Sequence, residues 1–156
     1  MAPARTYSVA LVGVRGHLIE VEADITSGLP ATIVAGLPDT ARREARDRIR
    51  AAIINSGERW PDSKITVTLS PVSLPKRGSA SDLAIAIAIL AANGDLPELA
   101  GNLLFLAELG LDGRLRPVAG VLPEHGGRRG RTSHGRRRGR QPRGGIAGAW
   151  DHLDRG

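Results

Sequence analysis

Four segments in the first half of the chain have the apolar and polar pattern of β-strands. Three of them come early, at Tyr7–Val14, His17–Ile25 and Ala31–Ala35, and of these His17–Ile25 alternates between apolar and polar residues. The fourth, Lys64–Ser70, alternates with a clean period of two. Arg15-Gly16 separates the first two segments, so we expect it to form the turn of a hairpin.

The spacing of apolar residues becomes that of an α-helix after Pro38. Asp39 is placed to cap this helix, and Gly57 is placed to end it after about Asn55. The opposite face carries five arginines among acidic residues, and either contact with DNA or simple solvation is consistent with it. The apolar stripe consists of Ala41, Ala45, Ile49, Ala52 and Ile53.

A second helix is predicted over Leu83–Ala92, and Asn93-Gly94 closes it. Ser79 and Asp82 have the spacing of a capping box at its start. The segment is apolar on all sides, so we expect the helix to be buried.

Two further strands complete the pattern. Leu103–Leu109 is the first, and Asp112-Gly113 turns the chain into the second, Arg114–Val118. The resulting order, βββα-βα-ββ, predicts an α+β domain with a mixed or antiparallel sheet and two main helices.

The charge of the chain is concentrated near its C-terminal end. The formal net charge is +6, yet residues 1–124 carry a net charge of −1, because residues 125–156 contain nine Arg, no Lys and two Asp. Between Pro123 and Ile146 there is no Val, Ile, Leu or aromatic residue. Such a stretch cannot bury enough apolar surface to offset its ordering entropy. We therefore predict a domain over residues 1–123 and a disordered Gly/Arg-rich tail over residues 124–156.

Composition argues against several classes of function. The absence of cysteine excludes a disulfide framework, thiolate zinc sites and a cysteine nucleophile. Aromatic residues make up 3% of the chain, too few to build stacking platforms for single-stranded nucleic acid. No apolar run approaches the ~18 residues of a membrane span, and no secretion signal opens the chain, so we expect a cytoplasmic protein with no membrane partner.

Few residues have the spacing of a chemical site. The chain lacks the glycine-rich ATP-binding loop, and His17 is the one histidine of the predicted domain, which leaves no catalytic triad and no metal-ligand set. Lys76, Arg77 and Gly78 stand just before a helix N-terminus, where free N–H groups attract anions. These three residues are our candidate contacts for an anion or a DNA phosphate, and an ordinary basic loop is the alternative.

Several motifs occur in order along the chain. They include Tyr7-Ser-Val-Ala-Leu-Val-Gly, Gly36-Leu-Pro-Asp, Arg48-Ile-Arg-Ala-Ala-Ile, Leu74-Pro-Lys-Arg-Gly-Ser and Glu108-Leu-Gly-Leu-Asp-Gly-Arg-Leu-Arg-Pro-Val. Over about residues 5–123 this series resembles the N-terminal domain of the ComM/YifB family, the Mg-chelatase-like AAA+ ATPases. The resemblance implies the fold shared by the Lon proteolytic domain and the GHMP kinases, also called ribosomal S-five domain-two-like.

The resemblance also implies a function. In the family this domain precedes an AAA+ motor, and ComM is a hexameric DNA helicase that drives branch migration in natural transformation, a role in competence and DNA recombination. ATP and Mg²⁺ are expected for that motor and not for this chain. The implied partners are DNA, a second copy of this chain, or a full-length family hexamer.

The implied likeness to Lon also makes a prediction about peptidase activity. Lon-type proteases carry a nucleophilic serine in Pro-Lys-Asp-Gly-Pro-Ser and a lysine base in a later Gly-Arg-Val-Leu-Pro-Ile-Gly-Gly-Leu-Lys. Here Ala80 stands at the serine position and Pro123 at the lysine position. Ser79 is one residue away and has no matching lysine, so we expect no catalytic residue and no peptidase activity.

The resemblance stops after Pro123, where the family continues with a helix and a Val-rich strand. With GC-rich codons, a one-base shift of frame lets Arg136-Arg-Arg-Gly-Arg read as Val-Val-Val-Ala-Ala. We therefore expect the residues from 124 onward to be out of frame. Two functions follow: a truncated ComM-like accessory domain without ATPase activity, or a small basic protein that binds nucleic acid through its Arg/Gly tail.

Overall fold

A computed structural model describes residues 3–76, 79–96, 103–116, 118 and 146 of the chain. The order of its elements is the one that the sequence predicts. In chain order they are β1 (Ala4–Val12), β2 (Arg15–Thr26), β3 (Ala31–Ala35), α1 (Asp39–Asn55), β4 (Lys64–Ser70), α2 (Asp82–Ala92), β5 (Glu108–Leu109) and β6 (Leu115–Arg116).

Four strands form one mixed sheet in the order β1-β2-β4-β3. The first three are antiparallel neighbours, and β3 runs parallel to β4. A parallel pair needs a crossover connection, and α1 supplies it between β3 and β4. β5 and β6 form a separate two-stranded ribbon. The α+β class, the mixed sheet and the two helices predicted from the sequence are confirmed.

The core lies between the sheet and the two helices. Cross-strand pairs such as Val21 with Leu69 and Ala23 with Val67 are fully buried, because alternate residues of a strand face the same side. α2 packs against β1, β2 and α1, and ten of its eleven residues are buried, as its apolar composition predicts. The predicted stripe of α1 is confirmed at four positions, Ala45, Ile49, Ala52 and Ile53, whereas Ala41 is half-buried.

Two hydroxyl groups on the inner face of β1 hold α2 against the sheet. Thr6 is fully buried and donates from Oγ1 to the carbonyl oxygen of Ala84 at 2.7 Å. Ser8 donates to the carbonyl oxygen of Ala80 at 3.4 Å. These bonds satisfy polar groups that would otherwise be costly to bury.

The predicted turn between the first two strands is wrong. Arg15 and Gly16 belong to β2, and the turn is Gly13-Val14, because Val12 pairs directly with Arg15. Gly13 has φ +62°, which glycine adopts at little cost in a two-residue hairpin turn.

Both predicted helix caps are also placed differently. Pro38 is the cap residue of α1, and Asp39 lies inside its first turn, where the carboxylate accepts a hydrogen bond from Arg42. The capping box at α2 does not form: Ser81 is the cap residue, and neither helix has a side-chain cap bond. Asp82 is instead bonded to a distant partner, Arg48.

The last predicted strands are shorter than the sequence pattern suggests. Of Leu103–Leu109, only Glu108–Leu109 forms a strand, while Leu104 makes an isolated bridge to Tyr7. The turn at Asp112-Gly113 is confirmed. Of the predicted tail only Ile146 is described, so the boundary after residue 123 and the remaining tail residues lie outside the described part. Neither described helix is long and apolar enough to cross a bilayer.

Candidate functional site

Lys76, the first of the three predicted anion contacts, lies in the loop that follows β4. Its side chain reaches back into the protein, and the residue is only 7% exposed. Nζ donates to the carbonyl oxygens of Pro71 at 2.5 Å, Leu74 at 3.1 Å and Gly36 at 3.2 Å. Burial lowers the pKa of Lys76, and the three carbonyl groups are acceptors that stabilise the ammonium.

The position of Lys76 favours a structural role, in which one ammonium group ties its loop to the end of β3. All three ammonium protons have a backbone acceptor within the protein. Arg77 and Gly78 lie outside the described residues. The anion contact by Lys76, Arg77 and Gly78 stays a prediction.

A cleft of about 500 Å³ lies beside this loop, between the start of α2, the outer side of α1 and the β5–β6 ribbon. Two guanidinium groups, two carboxylates and one hydroxyl come together in it from segments far apart in the sequence. The lining residues are Arg48, Ser79, Glu108, Leu109, Gly110, Leu111, Asp112 and Arg116.

A buried ion pair supports one wall of the cleft. Nε of Arg48 donates to Oδ2 of Asp82 at 2.8 Å, and its Nη2 donates to Oδ1 at 3.4 Å. The Asp82 side chain is 3% exposed and that of Arg48 is 29% exposed, so the guanidinium covers the carboxylate and faces the cleft. Two bonds to one carboxylate fix the orientation of the guanidinium plane.

The two partners affect each other's ionisation. Burial raises the pKa of the Asp82 carboxyl, the bond from Arg48 opposes this rise, and the nearby charge of Glu108 adds to it. The hydrogen bond to Asp82 raises the pKa of Arg48. Arg48 is therefore a permanent cation of the cleft.

The ribbon forms the opposite wall. Glu108 and Arg116 lie directly across from each other in the antiparallel pair, and both are exposed. Asp112 accepts a hydrogen bond from the backbone N–H of Arg114 at 3.0 Å, which holds the turn. The wall thus presents charges of both signs to a bound molecule.

The described part of the cleft contains groups that can form hydrogen bonds and ion pairs with a bound molecule. Ser79 contributes a hydroxyl group, and the described lining residues include neither histidine nor lysine. Ala80 lies two residues before α2, and Pro123 lies outside the described residues. No three Asp, Glu or His side chains within the described ranges converge as metal ligands.

Sequence reasoning missed the ion pair at the centre of the site. Asp82 was assigned to a cap, and Arg48 to a charged helix face. A signal was present, because Asp82 opens a helix that is otherwise apolar and buried, where a carboxylate needs a cationic partner.

Known proteins match most of the chain. The family model of subunit ChlI of Mg-chelatase matches residues 21–132. A protein of Mycobacterium bovis, described as uncharacterized, is 54% identical over 124 residues, 79% of this chain and 25% of its own. YifB of Escherichia coli is 45% identical over 126 residues, 78% of this chain and 24% of its own.

The competence protein ComM of Haemophilus influenzae is 44% identical over 126 residues, 79% of this chain and 24% of its own. The chain spans about a quarter of the length of these curated relatives. The family model covers more than two thirds of the chain, and the resemblance to the ComM/YifB N-terminal domain found from its motifs is confirmed. The chain therefore belongs to the ChlI Mg-chelatase family, among proteins of the ComM/YifB type.

Proposed function

We propose that this chain is an accessory N-terminal domain of a ComM-like AAA+ protein that remodels DNA in competence and recombination. Identity of 44–54% over nearly four fifths of the chain supports this assignment. The order of elements is consistent with the Lon-type fold that the family resemblance implies. The domain itself has neither ATPase nor peptidase activity, and its partners are DNA, another copy of the domain, or a full-length family hexamer.

The residues at the start of α2 support the proposed lack of peptidase activity. The Ala80 side chain has no nucleophilic atom, and the neighbouring Ser79 lines a cleft whose described residues include neither lysine nor histidine. The ammonium of Lys76 is already bonded to three carbonyl oxygens. Casein hydrolysis by the purified chain that a Ser79→Ala change abolishes would contradict this part of the proposal.

The single observation that best supports a binding role is the arrangement of Arg48. Its guanidinium is held by the buried carboxylate of Asp82 while it lines a cleft with charges of both signs. Groups that are fixed before binding lose little freedom on binding, which favours recognition of a partner surface. The cleft is therefore the proposed contact between this domain and the rest of the ComM-like assembly.

A domain exchange with the competence protein ComM of Haemophilus influenzae tests the proposal. Residues 1–123 of this chain replace the matching segment of Haemophilus influenzae ComM, and the chimera is produced in a strain that lacks ComM. We expect transformation by DNA to be restored. Failure of a stably produced chimera would contradict the accessory role.

Two charge reversals in the chimera distinguish the contribution of the cleft from that of the remaining surface. Arg116→Glu changes an exposed cleft residue, and Arg43→Glu changes an exposed residue of α1 outside it. We expect Arg116→Glu to reduce transformation and Arg43→Glu to leave it unchanged. Equal activity of the two variants would show that the cleft is not the contact.

The second candidate function is nucleic-acid binding through the Arg/Gly segment. The observation that favours it is the net charge of +7 within residues 125–156. Such a segment binds phosphates regardless of the domain to which it is attached. Loss of DNA binding when the arginines of residues 125–156 are replaced would distinguish this function from a site on the domain.

A further inference from the structure

Ile146 is buried although the sequence around it is rich in glycine. It is 2% exposed and belongs to the hydrophobic core cluster. Its backbone N–H donates to the carbonyl oxygen of Gly113 at 3.1 Å. The 22 residues between Pro123 and Ile146 contain no Val, Ile, Leu or aromatic side chain, so Ile146 is the first large apolar residue after that stretch.

The surface that receives Ile146 is a turn held against the end of α1. Nδ2 of Asn55 donates to the carbonyl oxygen of Leu111 at 2.6 Å. Gly113 has φ +80°, and a Cβ atom there would lie 2.9 Å from the carbonyl oxygen of Ala52. The turn therefore approaches the helix more closely than a residue with a side chain would allow.

We propose that the β5–β6 turn and the C-terminal end of α1 form a docking surface for a chain segment with one aliphatic side chain, and that Ile146 occupies it. The burial of the side chain provides the affinity, and the bond to Gly113 fixes the register.

Thiol labelling of the full chain provides a direct test, because the natural sequence contains no cysteine. Ile146→Cys is compared with a matched control, Ile33→Cys, whose parent residue is 45% exposed on β3. We expect the thiol at position 146 to react about 100-fold more slowly, since the reagent reaches it only through local opening. Labelling in urea gives the rate of each accessible thiol and corrects for differences in intrinsic reactivity.

A second pair of variants measures what docking contributes to stability. Ile146→Asp places a carboxylate in the docking surface, and Ile33→Asp places one at an exposed strand position. We expect the first to lower Tm by about 5 °C or more and the second to change it by much less. Equal labelling rates at positions 146 and 33, or equal Tm values for the two aspartate variants, would overturn the proposal.

Discussion

Single buried polar residues organise this small domain. Thr6, Lys76 and Asp82 are each buried, and their hydrogen-bond partners are 2 to 78 residues away. Within the described ranges no buried side-chain nitrogen or oxygen lacks a hydrogen-bond partner. Sequence periodicity identifies the surface on which such a residue lies but not its distant partner. The Arg48–Asp82 pair was therefore not predictable from local pattern.

The ion pair makes a prediction about stability at neutral pH. Arg48→Met removes the cation and leaves the Asp82 carboxylate buried without its partner, so we expect the free energy of unfolding to fall by about 2 kcal/mol. The value is set below that of fully buried pairs because 29% of the Arg48 side chain is exposed. Combining it with Asp82→Leu should recover most of the loss. Urea unfolding of the four proteins gives the coupling energy, and strictly additive changes would contradict the pair's importance.

The pH dependence of the same variants has a definite sign. The pKa of Asp82 is raised above its ordinary 3.8, so between 3.8 and the folded-state pKa the folded chain binds more protons than the unfolded chain. The stability contributed by Asp82 is therefore greatest in acid and declines as the pH rises through that window. Arg48→Met removes the group that opposes the rise in the pKa of Asp82. The decline in stability should therefore extend to higher pH in this variant. If stability declines over the same pH window in Arg48→Met as in the unmodified chain, Arg48 does not control the ionisation of Asp82.

At the level of elements, the order and type of the helices and strands from β1 to β6 followed from the sequence. Period-two alternation in β4 and the uniformly apolar α2 are local signals that tertiary contacts reinforce. Turn and cap positions were less predictable, because they depend on contacts with other segments. Examples are the pairing of Val12 with Arg15 and the hydrogen bond from Arg48 to Asp82. Strand order was not predictable either, since α1 carries the chain past β4 to build the parallel pair.

The approach of the β5–β6 turn to α1 predicts an unequal cost for two glycine substitutions. Gly113 and Gly57 have similar positive φ angles, +80° and +86°. A Cβ atom at Gly113 meets Ala52 and Ser56, whereas one at Gly57 meets nothing within 4 Å. We expect Gly57→Ala to cost about 1 kcal/mol from backbone strain alone, and Gly113→Ala to cost about 1–2 kcal/mol more. Equal costs in urea unfolding would show that the turn moves freely away from the helix.

At the scale of the whole molecule, charge and fold are separate. The net charge of +6 combines a charge of −1 over residues 1–124, the patterned region, with a charge of +7 over residues 125–156, the basic region. Within the described part of α1, Arg42, Arg46 and Arg48 are each paired with a carboxylate. Family membership comes from the patterned region together with the first residues of the basic one, since the family model ends at residue 132. The charge alone therefore says little about the partners of the domain.

Measurements of DNA binding at different salt concentrations test whether the Arg/Gly-rich segment contacts DNA. For the full chain we expect the affinity for a fluorescent DNA duplex to fall steeply between about 50 and 200 mM salt, because each phosphate contact releases counterions. Replacing eight arginines by glutamine keeps Ile146 in place but makes the net charge negative, and should abolish most of this binding. The eight are Arg128, Arg129, Arg131, Arg136, Arg137, Arg138, Arg140 and Arg143.

The matched control changes the exposed arginines of α1 and settles the two interpretations of that helix face. Arg43, Arg46 and Arg50 are all exposed, and replacing them by glutamine removes three charges and leaves the half-buried Arg48 unchanged. If the face is only solvated, anisotropy titrations should give the same salt slope as the unmodified chain. A slope reduced by about 0.9 for each lost phosphate contact would instead place a DNA site on α1. In that case the domain, and not the Arg/Gly segment alone, contacts DNA.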